Sequence, residues 1–262
     1  MTNKVLFTSD FWAGPDPRPL DSAKWDFNHW EKDNNPSYLG LTQMRQYLPY
    51  ASLGAARIRL DTWNEGDGKC FLGSEAITKQ AFALGPPGTG GIAFEAELSL
   101  DTLTQGGMIA GFFTFQQFPA GANRDIHDEI DVEIITTQLK KVSTNVFAQE
   151  SLNRTAHPLS IAVPPGTFSG FHKYRMEWFH DHVSWFLDGN LLRTVTDHVP
   201  TKPQQLHLNL WGVPGNWGPS PGDPDGPPVG DPNFKPVTRK EDNKLYFFYV
   251  RNVKVEQLDP QA

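Results

Sequence analysis

An all-β sandwich is the fold this sequence predicts, and three observations predict it. Apolar and polar residues alternate over short runs, no run of ten or more residues carries a helical stripe, and 22 prolines and 23 glycines punctuate the runs. Many short strands with turns between them and no helices pack as two layers of sheet, a sandwich or jelly roll. The 262 residues are enough for one large core, so a single domain over 1–262 is expected.

Taken along the chain, 57–63 and 94–100 alternate cleanly and predict half-buried strands. Residues 108–115 form a near-continuous apolar run after Gly106-Gly107, the pattern of a strand covered on both faces. Further strands are expected at 127–135, 142–149, 173–179, 183–187, 191–195, 205–211 and 245–255. Asp188-Gly189-Asn190 sits between two of these runs and predicts a hairpin turn, with glycine supplying a positive φ. The Pro- and Gly-rich stretch 214–236 resembles an interdomain linker. Only about two dozen residues follow it, too few for a second domain, so it is expected to be a long surface loop shaping a functional site.

Composition narrows the function. A net charge of −7 argues against nucleic acid as a partner, because phosphate binding needs a basic surface. No run approaches the roughly 18 apolar residues of a membrane-spanning helix. Cys70 stands alone, which excludes an intrachain disulfide and a Cys-based metal site. Val5-Leu6-Phe7 after the N-terminus is too short for the apolar region of a signal peptide. A monomer is the default.

The informative segment is His127-Asp128-Glu129-Ile130-Asp131-Val132-Glu133. In a strand, i, i+2 and i+4 share a face, so His127, Glu129, Asp131 and Glu133 point one way and Asp128, Ile130, Val132 and Ile134 the other. Three carboxylates on one face raise one another's pKa, an arrangement that adds no stability. Retaining glycosidases need one ionised and one protonated carboxylate about 5–5.5 Å apart. A solvated polar face and a divalent metal site are equally compatible with the spacing alone.

The wider sequence separates these readings. The segment 127–133 closely resembles the active-site signature of glycoside hydrolase family 16, in the form with one residue between Asp131 and Glu133 found in lichenases and xyloglucan endotransglucosylases. Ser143-Thr144-Asn145-Val146-Phe147-Ala148-Gln149 resembles the strand that follows in that family. Phe171-His172-Lys173-Tyr174, Trp178 and the run 183–189 resemble its back-sheet hairpin, and 20–25 and 74–78 its earlier segments.

The resemblance implies a concanavalin-like jelly roll of two antiparallel sheets with a concave cleft. It also implies Glu129 as nucleophile, Glu133 as general acid/base and Asp131 as helper. Asn145, Gln149, Glu75 and Trp211 take the family's sugar-binding positions. Trp217 is a further candidate for the cleft, Trp30 and Trp63 divide evenly between cleft and core, and His127 faces the carboxylates by parity, to meet substrate or to brace the strand. Trp25, Trp178 and Trp185 are expected in the core.

The expected activity is a retaining endo-β-glucanase on a polysaccharide, with mixed-linkage β-1,3-1,4-glucan first. A transglycosylase on xyloglucan or another β-glucan is the alternative, and a non-catalytic lectin conflicts with three retained carboxylates. No cofactor is required. The structural calcium of some relatives is not supported, since Phe247 and Phe248 stand where an acidic ligand would be expected. The resemblance implies secretion.

Overall fold

The computed structural model describes residues 3–29, 41–100, 105–117, 126–151 and 157–260. Seventeen strands are present among them: β1 (Lys4–Ser9), β2 (Arg18–Pro19), β3 (Trp25–Phe27), β4 (Thr42–Met44), β5 (Tyr50–Ser52), β6 (Ala55–Asp61), β7 (Phe71–Thr78), β8 (Ile92–Leu100), β9 (Met108–Gln117), β10 (Ile126–Ile135), β11 (Lys141–Ser151), β12 (Leu159–Ala162), β13 (His172–Trp178), β14 (Val183–Leu187), β15 (Asn190–Val195), β16 (Gln205–Gly212) and β17 (Leu245–Gln257). The helical content of the described residues is one 3-10 turn at Lys240–Asp242.

The strands form the two layers of a jelly-roll sandwich. One sheet, which carries the acidic strand, runs β3–β7–β16–β9–β10–β11–β12, antiparallel throughout. The other runs β15–β14–β13–β8–β17–β6–β5–β2, with β1 joining β17 beyond the end of β6. The layers join at a corner where β6 meets β7 at Asp61 and Leu72 and where β4 lies parallel to β7. Alternation sends Ile130, Val132 and Ile134 of β10 and Phe94, Ala96 and Leu98 of β8 into the shared core.

Trp25, Trp178 and Trp185 are buried in the core as expected, and each indole N–H finds an oxygen: Ser9 Oγ, the Pro200 carbonyl and the Asp131 carbonyl, at 3.1, 2.8 and 2.9 Å. That satisfies the polar end of a side chain whose truncation to alanine costs about 3–5 kcal/mol in a core. The Trp185 bond also fixes the backbone of the acidic strand at its middle residue.

All ten strands expected from periodicity are present. The hairpin at Asp188-Gly189 is tighter than expected: both residues have positive φ (50° and 81°), the requirement of a two-residue turn with matching twist. Periodicity missed β7, because Phe71–Thr78 is buried on both faces yet carries Gly73, Ser74 and Glu75. It also missed β1 to β5 and β12, which lie towards the sheet edges and are mostly too short to show a period.

The stretch 214–236 is a surface loop folded back on the molecule. Thr137 Oγ1 donates to the Val229 carbonyl and Gln138 Nε2 to the Pro227 carbonyl, at 3.1 and 2.9 Å. Lys141 Nζ lies 2.5 Å from Asp223 Oδ2. These contacts dock the loop on the β10–β11 turn.

Candidate active site

Glu129, Asp131 and Glu133 project from β10 onto the open face of their sheet, opposite the core. The strand pairings place them in cross-strand rows. Glu133 has Ser143 on one side and Gly111, Asn209 and Glu75 in succession on the other. Asp131 lies between Asn145 and Phe113, with His207 beyond. Glu129 lies between Phe147 and Phe115. No Lys or Arg occupies any of these positions.

The charge is therefore uncompensated, and protons take its place. Burial raises the pKa of Asp131 well above the usual carboxylate range, and the negative charges of Glu129 and Glu133 and a hydrogen bond with Glu129 act in the same direction. Burial, then the charge of Glu129, raises Glu133 to about 7. Near neutral pH the three groups thus share fewer than three negative charges.

His127 follows from a local irregularity. A β-bulge between His127 and Glu129 shifts the register against β11 and turns the ring under its neighbour. His127 Nε2 lies 2.8 Å from Glu129 Oε2 while the ring is clasped by Phe115 and Phe147, centroids 5.2 and 4.7 Å away. Neither ring nitrogen has a well-aligned hydrogen bond. At 2 % exposure His127 is buried beside Glu129, the position of the bracing alternative.

Glu75 is similarly occupied. Its Oε1 meets His207 Nδ1 at 2.8 Å and its Oε2 accepts from Asn28 Nδ2. It is 3 % exposed, so its reach to a ligand runs through His207 and Asn28. Trp211 also meets a different environment from the one expected. It is covered by Met44, Ile109, Ile135, Val213 and Val229 under the long loop, edge-to-face with Trp217 at 5.7 Å and 80°. Of the pair, the half-buried Trp217 has surface left to offer a sugar ring.

Asn145 is half-buried beside Asp131, its Oδ1 accepting from the Val146 amide at 2.9 Å. Gln149 falls in β11, but its side chain, like the whole of Trp30, lies outside the described residues. Trp63 is half-buried under Lys240, whose Nζ is 5.4 Å from the ring centre.

Two site residues were not singled out from the sequence: His207 and Asn209. Asn209 is 8 % exposed and its Oδ1 has no partner, a buried acceptor that a ligand hydroxyl would satisfy. Gly111 separates it from Glu133, and a Cβ there would come 2.5 Å from Asn209 Oδ1. The absent side chain leaves room between acceptor and carboxylate. The signal was present: counting back by two from Trp211 along 205–211 reaches Asn209 and His207. Asp128, on the opposite face, is fully buried and accepts the amides of Thr201 and Lys202 at 2.8 and 2.9 Å, anchoring the β15–β16 connection to the acidic strand.

Comparison with known proteins bears on the family and the fold. A β-glucanase of Paenibacillus macerans is 29% identical over 119 residues, 45% of this chain and 48% of its own length. A β-glucanase of Bacillus licheniformis is 26% identical over 223 residues, 82% of this chain and 84% of its own. The chain spans a little under half the length of three of the bacterial β-glucanases it matches, 48%, 43% and 48%. The fold is shared with the catalytic domain of an endo-1,3-β-glucanase (laminarinase) from Thermotoga petrophila RKU-1, with a TM-score of 0.73, 16% identity and 98% of each chain covered. The model of glycosyl hydrolases family 16 matches residues 49–224, a span that holds the acidic strand and both of its neighbours. The chain belongs to glycosyl hydrolases family 16.

Proposed function

We propose that this protein is a retaining endo-β-glucanase that hydrolyses internal β-glucosidic bonds of a polysaccharide, with mixed-linkage β-1,3-1,4-glucan as its first substrate. The observation that carries the reading is three carboxylates on one strand face with no Lys or Arg beside them across the ladder, where burial raises Asp131 and Glu133. A Glu133 pKa of about 7 suits a general acid that must hold a proton near neutral pH and give it to a leaving oxygen. Glu129, beside His127 and hydrogen-bonded with Asp131, is the nucleophile in this reading, the role the family resemblance gives it. Asp131, whose carboxyl burial holds well above the usual range, shares a hydrogen bond with Glu129 and helps hold the two glutamates in different protonation states.

The bond that forms first is Glu129 oxygen to anomeric carbon. The bond that breaks is anomeric carbon to glycosidic oxygen, which takes the Glu133 proton. Glu133, now ionised, removes a proton from water as that water displaces Glu129. Two inversions leave the configuration unchanged. Asn209, Asn145 and Trp217 line the approach. The substrate reading draws on the β-glucanases of Paenibacillus macerans and Bacillus licheniformis among its relatives, and on the single residue between Asp131 and Glu133.

The test is release of reducing ends from mixed-linkage glucan, xyloglucan, laminarin and agarose, beside a Glu129→Gln control. Release from mixed-linkage glucan that disappears in the control supports the reading, and release from another polymer alone corrects the substrate. Equal release by the control would remove Glu129 from the chemistry.

A further inference from the structure

Away from the carboxylates, His157, Asp197 and His198 bring three ligand atoms within 4.8 Å of one another. Elsewhere among the described residues, the histidine–carboxylate contacts outside the site are pairs, His172 with Asp188 and His182 with Asp181. The two imidazole rings of the trio lie 4.1 Å apart at 35°, a separation at which two protonated rings would repel. His198 Nδ1 is 3.0 Å from the Asp197 carbonyl, and a carbonyl can only accept, so Nδ1 donates there. A backbone carbonyl on one ring nitrogen is the kind of partner that orients a metal-binding histidine.

The placement is as informative as the donor set. His157 precedes β12, its amide donating to the Val146 carbonyl of β11 at the edge of the sheet that holds the acidic strand. Asp197 and His198 lie on the connection that leaves β15 in one sheet and enters β16 in the other. The trio therefore spans the open edge of the sandwich, on a segment that Asp128 and Trp178 grip two to four residues further on.

We propose that His157, Asp197 and His198 bind a divalent transition-metal ion, zinc in its chemical class, as a clip across this edge. Two imidazoles and one carboxylate suit zinc, and a water completes the four positions. Calcium, which takes six to eight oxygens, does not fit this set. Ligands on a tetrahedral zinc sit about 3.3 Å apart, given bonds of ~2.0–2.1 Å. The trio thus needs to contract by roughly 1.5 Å at its widest, within the reach of surface side-chain rotation. Arg193, drawn to Asp197 but engaged with Thr144 and Trp185, adds a positive charge nearby. An ion held mainly by charge is disfavoured there, and directional ligand bonds are favoured. The clip is structural, since it lies on the edge and not on the open face that carries Glu129 and Glu133.

The test is titration of the metal-stripped whole protein with zinc chloride, followed by calorimetry and by thermal melting. One saturable site of micromolar or tighter Kd, with a Tm rise of about 5 °C at a hundredfold excess over Kd, is expected. His157→Ala and His198→Ala should each weaken binding at least about tenfold and cancel the rise. Asp197→Asn, which preserves shape, should weaken it less and guards against a variant that misfolds. Turnover of a β-glucan should be unchanged in all three. No saturation up to millimolar zinc, or binding undiminished in the His157→Ala/His198→Ala double variant, would overturn the site.

Discussion

The two sheets of this sandwich each carry a row of acidic side chains on an exposed face, written in nearly the same alternating pattern: Phe94-Glu95-Ala96-Glu97-Leu98 on β8 and Glu129-Ile130-Asp131-Val132-Glu133 on β10. On β8 every acid faces a base on both neighbouring strands. Glu95 lies between Arg175 and Lys254, and Glu97 between Lys173 and Arg251. Ion pairs follow at 3.2 Å for Arg175–Glu95 and 2.6 Å for Arg251–Glu97. Burial pushes Glu97 up, but hydrogen bonds from Asn252 and Arg251 outweigh it and its pKa ends below the ordinary value. On β10 the neighbours are Gly, Phe, Ser and Asn, nothing offsets burial, and Asp131 and Glu133 end above theirs. A carboxylate row is thus structural or chemical according to what stands beside it across the ladder, and its own strand does not reveal which.

This contrast can be broken at either row. The largest effect belongs to Glu129→Ala, where turnover should fall at least about 10³-fold with melting nearly unchanged. Azide should restore part of the rate with inverted product, and rescue at Glu133→Ala instead would exchange the two roles. Glu133→Gln should cost roughly 10²–10³-fold with a poor leaving group and much less with one that needs no proton. In the wild type, activity should decline as pH rises through about 7, the range in which Glu133 loses its proton.

Stability gives the same comparison in the opposite sense. Glu133 titrates at about 7 in the folded chain against 4.5 when unperturbed, so it holds its proton more tightly folded. Its contribution is whole below pH 4.5, wanes as pH rises to about 7, and is a constant cost above. Glu133→Gln should therefore raise stability at pH 8 by up to ~3 kcal/mol and leave it unchanged at pH 4, as urea melts would show. Arg175→Met removes the cation shared by Glu95, Glu177 and Glu256. It should cost about 1–3 kcal/mol at pH 7 with turnover intact. Smallest is Arg251→Ala, a half-exposed pair with Glu97, at about 0.5 kcal/mol and less in high salt.

The long strands and the acidic face were legible because alternation needs only neighbours in the chain. What stayed hidden depended on distant partners. The burial of His127 depends on a bulge in the β10–β11 pairing, for which 127–129 carry no mark. Glu75 is held by a histidine 132 positions away. Trp211 lost its expected face because the loop that covers it is specified by prolines and glycines, whose docking partners on the β10–β11 turn no local pattern names. Conversely, Asn209 was within reach of simple parity.

Strand β17 has a consequence for how the molecule is made. It pairs with β6 on one side and β8 on the other, so residues 245–257 fill a slot at the centre of their sheet. Until a ribosome has released that segment, β6 and β8 each present an unpaired edge while most of the apolar surface is already synthesised. The nascent chain is then open to pairing with other chains, and β17 must insert between two earlier-made neighbours rather than add to a rim. Slow, concentration-sensitive refolding and dependence on holding chaperones would be the cellular signature of that order of events.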